Sequence, residues 1–282
     1  MRLLAIIIVC FNFLFRIEAS PQAPDFLIIG KDTFSIYFLP LNHLDTIKQN
    51  EFYQNLQGQN KILQFSFNLW RGYQAYWQLI DNKLYLVNLK GYSNSDSVLK
   101  ATFPDYYNNE KVLAYWFSSY LAIGKDKMLK WDGIFSKTYL KEDILDFKNG
   151  VLINRKLVDN YIHVNNGISR LDSNRKNITD TIFSLIKKLN WKKLSECDCD
   201  DKYLISIGDK GKIDNIELIP YTNNKDTSSM EIKDHKKCIR KFKRQLKNLQ
   251  FDIVNWNGKP FEEKYHFEMF YTVEGELENW TN

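Results

Sequence analysis

The stretch "NWNGKPFEEKYHFEMFYTVEG", Asn255 to Gly275, decides how this chain is read. Its first half holds a turn signal, Asn257-Gly258-Lys259-Pro260: Asn and Gly tolerate positive φ, and Pro presets its own backbone angle. From Lys264 onward charged and apolar residues alternate, the period of a strand with one face on a core. Immediately upstream, His235 to Leu249 has helical spacing. Ile239, Phe242, Leu246 and Leu249 fall on one face, and Lys236, Lys237, Arg240, Lys241, Lys243, Arg244 and Lys247 fill the rest. A basic amphipathic helix therefore leads through a tight turn into a long closing strand.

Working toward the N-terminus, Tyr203 to Ile207 reads as a strand, Gly208-Asp209-Lys210-Gly211 as a turn, and Lys212 to Ile219 as a second strand ended by Pro220. Asn223 to Ser229 is a polar loop. Ile178, Ile182, Leu185, Ile186 and Leu189 recur at helical spacing and predict another amphipathic helix. The region 178–282 is thus a small α+β domain. Before it, 160–177 is rich in Asn, Ser, Asp and Arg, which predicts a linker.

The region 25–159 is expected to be mainly antiparallel β. Phe26 to Ile29 and Phe34 to Phe38 flank the turn Gly30-Lys31-Asp32. Leu44, Ile47 and Phe52 suggest a short helix or an irregular segment. Tyr73 to Leu79 and Leu84 to Leu89 alternate around Asp81-Asn82, a hairpin with a heavy aromatic load. Val112 to Phe117, Tyr120 to Ile123, Met128 to Trp131, Ile134 to Leu140 and Ile144 to Phe147 continue the pattern, and Asn149-Gly150 turns the chain into Val151 to Ile153. Short strands with turns every ten residues or so indicate a sheet or barrel.

Export is expected from the first residues. A basic start at Arg2 precedes the apolar run Leu3 to Phe15, and Ala19 offers a small residue for cleavage, so 1–19 reads as a signal peptide and places the mature protein in the periplasm or cell envelope. The run is short for a membrane span. A net charge of +5 does not point to nucleic acid. Beyond the leader stand Cys197, Cys199 and Cys238; in an oxidising compartment Cys197 or Cys199 can pair with Cys238.

Catalytic signatures are sparse. His43, His163, His235 and His266 form no i, i+4 pair, and the chain has no GxSxG elbow or P-loop. His235 and Cys238 lie one helical turn apart, without an orienting group in the sequence. Cys197-Asp198-Cys199-Asp200 lacks the further ligands of a zinc site, and the Asp198, Asp200, Asp201 cluster lacks the frame of a calcium loop. Glu262 and Glu263 point to opposite faces of a strand. No catalytic residue, metal or cofactor is expected. Trp70, Tyr73, Tyr76 and Trp77 are a ligand-stacking set or a sheet core, with Tyr73 and Trp77 sharing a face.

Two stretches carry a resemblance. "YLISIGDKGKIDNIELI" (203–219) and "CIRKFKRQLKNLQFDIVNWNGKPFEEKYHFEMFYTV" (238–273), in the order helix, strand, turn, strand, helix, Gly-Pro turn and long strand, resemble the C-terminal domain of TonB-type energy transducers. Phe251-Asp252-Ile253 stands where this family usually places a Pro before its turn; the sequence shows neither a clear membrane anchor nor a proline-rich spacer, so energy transduction is not carried over. The resemblance implies an α+β fold and binding of an envelope protein by strand addition, with Lys264, His266, Glu268, Phe270 and Thr272 of the last strand as contact residues. The first region, around Trp70-Arg71-Gly72-Tyr73, resembles uncharacterised exported bacterial proteins. A non-enzymatic binding role is the leading expectation; the alternative is an envelope hydrolase or small-ligand binder built on the aromatic first region. The basic helix presents either a solvated face or a contact for an anionic membrane surface or acidic partner, with Lys237, Lys241 and Arg244 as the candidate residues for the contact.

Overall fold

The computed structural model describes residues 21–58, 68–171, 175–191, 199–219 and 229–281. The expected signal peptide (1–19), Cys197, Asp198 and the loop 223–228 lie outside them. The fold is mixed α/β and mostly sheet. In chain order the first elements are β1 (Asp25–Ile29), β2 (Asp32–Ile36), a 3-10 turn (Pro40–His43), α1 (Thr46–Gln57), β3 (Gln74–Ile80), β4 (Lys83–Lys90), α2 (Ser95–Thr102), β5 (Tyr107–Asn108), β6 (Lys111–Leu113) and β7 (Tyr120–Gly124). There follow β8 (Met128–Trp131), β9 (Lys137–Tyr139), β10 (Lys141–Lys148), β11 (Val151–Asp159) and β12 (Tyr161–Ile162). The last are α3 (Arg175–Ile186), β13 (Lys202–Ile207), β14 (Ile213–Leu218), α4 (Ser229–Leu246), β15 (Ile253–Trp256), β16 (Lys259–Pro260), β17 (Glu263–Tyr271) and β18 (Leu277–Asn279).

These elements form two compact units. One holds the chain up to Ile123 with Trp131–Lys137 and Ile144–Lys156; the other holds Gly124–Lys130, Thr138–Asp143 and Leu157–Asn282. The stretch read as a linker therefore belongs to the second unit, where Tyr161 and Ile162 pair with Val254 and Ile253, and Ile168 bridges Phe251.

The first unit is built on a sheet with the order β2-β1-β3-β4-β11-β10-β7. Asp81 and Asn82 both have positive φ, as the tight β3–β4 hairpin requires. The sheet is not purely antiparallel, because β1 pairs in parallel with β3, Phe26 facing Tyr76 and Ile29 facing Leu79. Ala75 and Trp77 are buried from β3, and Leu84, Leu86 and Leu89 from β4; Phe52 of α1 and Val98 and Leu99 of α2 cover them.

The second unit is a four-stranded sheet, β14-β13-β17-β18, with α3 and α4 on one face. Burial along β17 alternates from Glu263 to Met269, so Tyr265, Phe267 and Met269 face the helices while Lys264, His266 and Glu268 face away. Ile178, Ile182 and Ile186 of α3 and Phe242 and Leu246 of α4 close the core over Tyr203, Ile205 and Ile207. The expected basic helix begins two turns earlier than the apolar spacing indicated and ends at Leu246, with Leu249 N–H closing on Leu246 O at 3.0 Å. Gly211, at φ +66°, turns β13 into β14; a Cβ there would stand 2.2 Å from Phe251 O, so the hairpin and the chain after α4 pack only around a glycine.

Candidate functional site

The edges of a sheet hold its unused hydrogen-bonding capacity, and the order β14-β13-β17-β18 makes β14 and β18 the edges of this one. Ile219 N–H donates to Lys202 O at 2.8 Å, and Tyr203 faces Leu218 in the register. By strand alternation Glu217 and Ile219 turn their backbone groups toward β13, and Ile216 and Leu218 turn theirs outward. Among the described residues no strand pairs with that outer side.

The strand proposed from sequence as the contact edge sits differently. β17 is flanked by β13 over Glu263–Glu268 and by β18 over Met269–Tyr271. Trp280 N–H bonds Glu268 O, and Glu268 N–H bonds Thr281 Oγ1. Lys264 and His266 share the strand side of Glu268, and there they have no strand partner among the described residues. Phe270 packs edge-on against Trp280 at 5.6 Å, and Thr272 holds the turn to β18 through Glu276. The five residues are thus not one continuous edge: Lys264 and His266 lie on its open part, Glu268 and Phe270 are covered, and Thr272 is a turn residue.

Over the β14 end of the sheet lies α4. At about 100° per residue the six cations Lys236, Lys237, Arg240, Lys241, Lys243 and Arg244, with Lys247 just past the helix end, occupy an arc of roughly 160° opposite Cys238, Phe242 and Leu246. Lys237 and Lys241 are half-buried on one flank, and Arg244 is exposed. The flank of the arc opposite Lys237 and Lys241 is a different set, Lys236, Arg240 and Lys243, spaced i, i+4, i+7. With Ile239 these line an open groove of about 540 Å³. Lys243 Nζ donates to Asn215 Oδ1 at 2.9 Å, which ties the stripe to β14. No carboxylate among the described residues pairs with any of the seven. The periodicity that finds the helix also finds this stripe; the sequence does not say which flank faces the sheet edge.

Cys199 and Cys238 form a disulfide across 39 residues of sequence, tying the approach to β13 to α4. This removes the Cys238 thiol from any pairing with His235. His235 is instead buried, with Nε2 3.0 Å from Asp201 Oδ2, and Asp201 also accepts from Lys202 N–H. His163 is largely exposed and is held by Asp252, whose buried carboxylate also accepts from Tyr161 OH at 2.5 Å and Val164 N–H at 2.8 Å.

Glu263 is the most heavily charged buried site of the second unit. Arg170, wholly buried, donates to its Oε2 from Nη2 at 3.1 Å and Nε at 3.3 Å; Arg175 and Lys130 reach Oε1, and Tyr265 OH donates at 2.6 Å. Burial pushes the carboxyl up, but Lys130, Tyr265 and Arg170 outweigh it and hold the group below its ordinary value. The Tyr265 hydroxyl is pushed far up by the same burial and by the Glu263 charge.

In the first unit Tyr73 and Trp77 are core residues, and Tyr76 packs on Phe26 at 5.1 Å. Of the four aromatics read as a stacking set, Trp70 alone is well exposed. The buried polar group beneath them is Asp25, which accepts from Arg71 Nη1 at 2.9 Å, Ala75 N–H at 3.1 Å and Trp77 Nε1 at 3.1 Å.

Among the described residues no group of three His, Cys, Asp or Glu is placed to hold a metal ion, and no helix is long and apolar enough to cross a membrane. Compared with family models, with curated proteins and with solved structures, the chain matches none.

Proposed function

We propose that the chain is an exported, non-enzymatic binding protein of the cell envelope, whose second unit takes up an extended segment of a protein partner along β14. The observation that carries this is the outward-turned backbone of Ile216 and Leu218 on an edge strand that no other strand among the described residues pairs on that side. The succession α3, β13, β14, α4 and β17, on which the resemblance to the TonB C-terminal domain rests, supports it. So does the disulfide, a bond that belongs to an oxidising compartment.

The test is capture of partners from an envelope extract by the full chain and by its Leu218→Pro variant. Proline at 218 removes an outward N–H and leaves the bonds to β13 in place. Loss of the captured partner in the variant, with an unchanged circular dichroism spectrum, is expected. Equal recovery by both chains overturns the reading. Should Leu218→Pro misfold, a photo-crosslinking residue at Glu217 serves instead: adducts at 217 and none at Lys83 of the first unit are expected, and the reverse contradicts it.

A further inference from the structure

Strand addition alone is indifferent to sequence, because it uses backbone groups. Specificity must come from side chains beside the edge, and here those are cationic. Lys236, Arg240 and Lys243 form a single stripe on α4, and Lys243 makes direct contact with β14. Like charges at i, i+4, as Lys236 with Arg240, Lys237 with Lys241, Arg240 with Arg244 and Lys243 with Lys247, are unfavourable and repel one another. An acidic ligand relieves that repulsion.

We infer that the segment taken up along β14 is acidic, with carboxylates at alternate positions that meet Lys236, Arg240 and Lys243. This rests on the strand-addition reading above and names the chemistry of its partner. The spacings agree. Neighbouring stripe residues are about 4.5–6 Å apart along the helix axis. Alternate side chains of a strand are about 6.6 Å apart and share one face. Ile239, half-buried between the cations, supplies the apolar floor over which the carbon stems of acidic side chains can lie.

The experiment uses the full chain and two fluorescent dodecapeptides, (Thr-Glu)6 and (Thr-Gln)6, with vesicles containing phosphatidylglycerol as a third probe. The expected result is binding of (Thr-Glu)6 at least about tenfold tighter than (Thr-Gln)6, since each exposed charge pair is worth a few-fold. Binding weakens by a similar factor in Lys236→Gln/Arg240→Gln/Lys243→Gln and is lost in Leu218→Pro. These substitutions lie on an exposed helix face, so the triple variant is expected to fold. Equal binding of the two peptides, with the triple variant unchanged, overturns the acidic partner and leaves strand addition standing. Loss in the triple variant but not in Leu218→Pro keeps the acidic ligand and refutes its place on β14. Stripe-dependent binding of vesicles without binding of (Thr-Glu)6 assigns the stripe to a lipid surface and overturns the inference, as does failure of (Thr-Glu)6 to bind at all.

Discussion

Each unit buries one carboxylate in a web of donors, and the two are pushed in opposite directions. Asp25 in the first unit has one cation, Arg71, and two neutral donors; burial dominates and its carboxyl is raised above the ordinary value. Glu263 in the second unit has three cations and a tyrosine, and its carboxyl is lowered. Desolvation disfavours the charged form in both, so the number of cations decides the sign. The first unit carries a polar pin that holds Arg71, Ala75 and Trp77 in register. The second carries a charged one that joins Arg170, Arg175 and Tyr265 to the start of β17.

That contrast breaks most sharply at Glu263→Gln. The substitution leaves Arg170 buried without its counter-ion, and the second unit is expected to lose about 3–5 kcal/mol, as removal of one partner of a buried ion pair does. Urea unfolding followed by hydrogen exchange in β17 reads the loss. If Glu263→Gln costs no more than an exposed salt bridge, the three cations do not act on it as described.

Next in size is the disulfide. Cys199→Ser with Cys238→Ser opens a closure of 39 residues and is expected to cost about 2–4 kcal/mol, confined to the second unit. Equal loss of exchange protection in β3 of the first unit would show that the two units unfold as one.

Asp25→Asn is expected to cost less, about 1–3 kcal/mol, because the amide oxygen still accepts from either Ala75 N–H or Trp77 Nε1 and one cation rather than three loses its partner. Trp77 fluorescence follows it. A loss as large as that of Glu263→Gln would remove the distinction between the two sites.

The smallest effect is in the pH dependence, and its sign differs between the sites. The folded value of Glu263 is lowered, so its contribution is present above the unfolded value near 4.3 and fades as pH falls through the folded value. The deficit of Glu263→Gln should therefore shrink on acidification from pH 6 to 3. The folded value of Asp25 is raised, so its contribution is present below about 3.9 and fades as pH rises through the folded value; the deficit of Asp25→Asn should shrink in the other direction. Thermal melts at several pH values check both slopes, and parallel slopes refute the comparison.

What was legible in the sequence follows from range. The β3–β4 hairpin, α3, and the β13–β14 hairpin are local: period, turn residues and packing face all lie within about twenty residues. The helix α2 was missed because its eight residues, SDSVLKAT, bury only Val98, Leu99 and Thr102; the Asn94 cap, whose side chain accepts from Ser97 N–H, is its clearest signal. The parallel pairing of β1 with β3 joins Phe26 to Tyr76 across fifty residues and leaves no local trace. The polar stretch 160–177 looked like a linker because Arg170 and Tyr161 are polar. Their partners Glu263 and Asp252 stand about ninety residues away, so composition could not show that Arg170 is buried and Tyr161 half-buried. At the candidate site the cations of α4 were evident, and the stripe on the flank toward β14 was not singled out. That β14 rather than β17 ends the sheet depends on strand order, which alternation does not encode.

The central claim is that β14 keeps an open outer edge and uses it. Amide exchange, residue by residue, in the free chain and with saturating (Thr-Glu)6 tests this most directly. The account predicts faster exchange at Ile216 and Leu218 than at Glu217 and Ile219 in the free chain, and protection of Ile216 and Leu218 when the peptide binds. Uniform protection of all four amides in the free chain, or binding that leaves Ile216 and Leu218 unchanged, would contradict it.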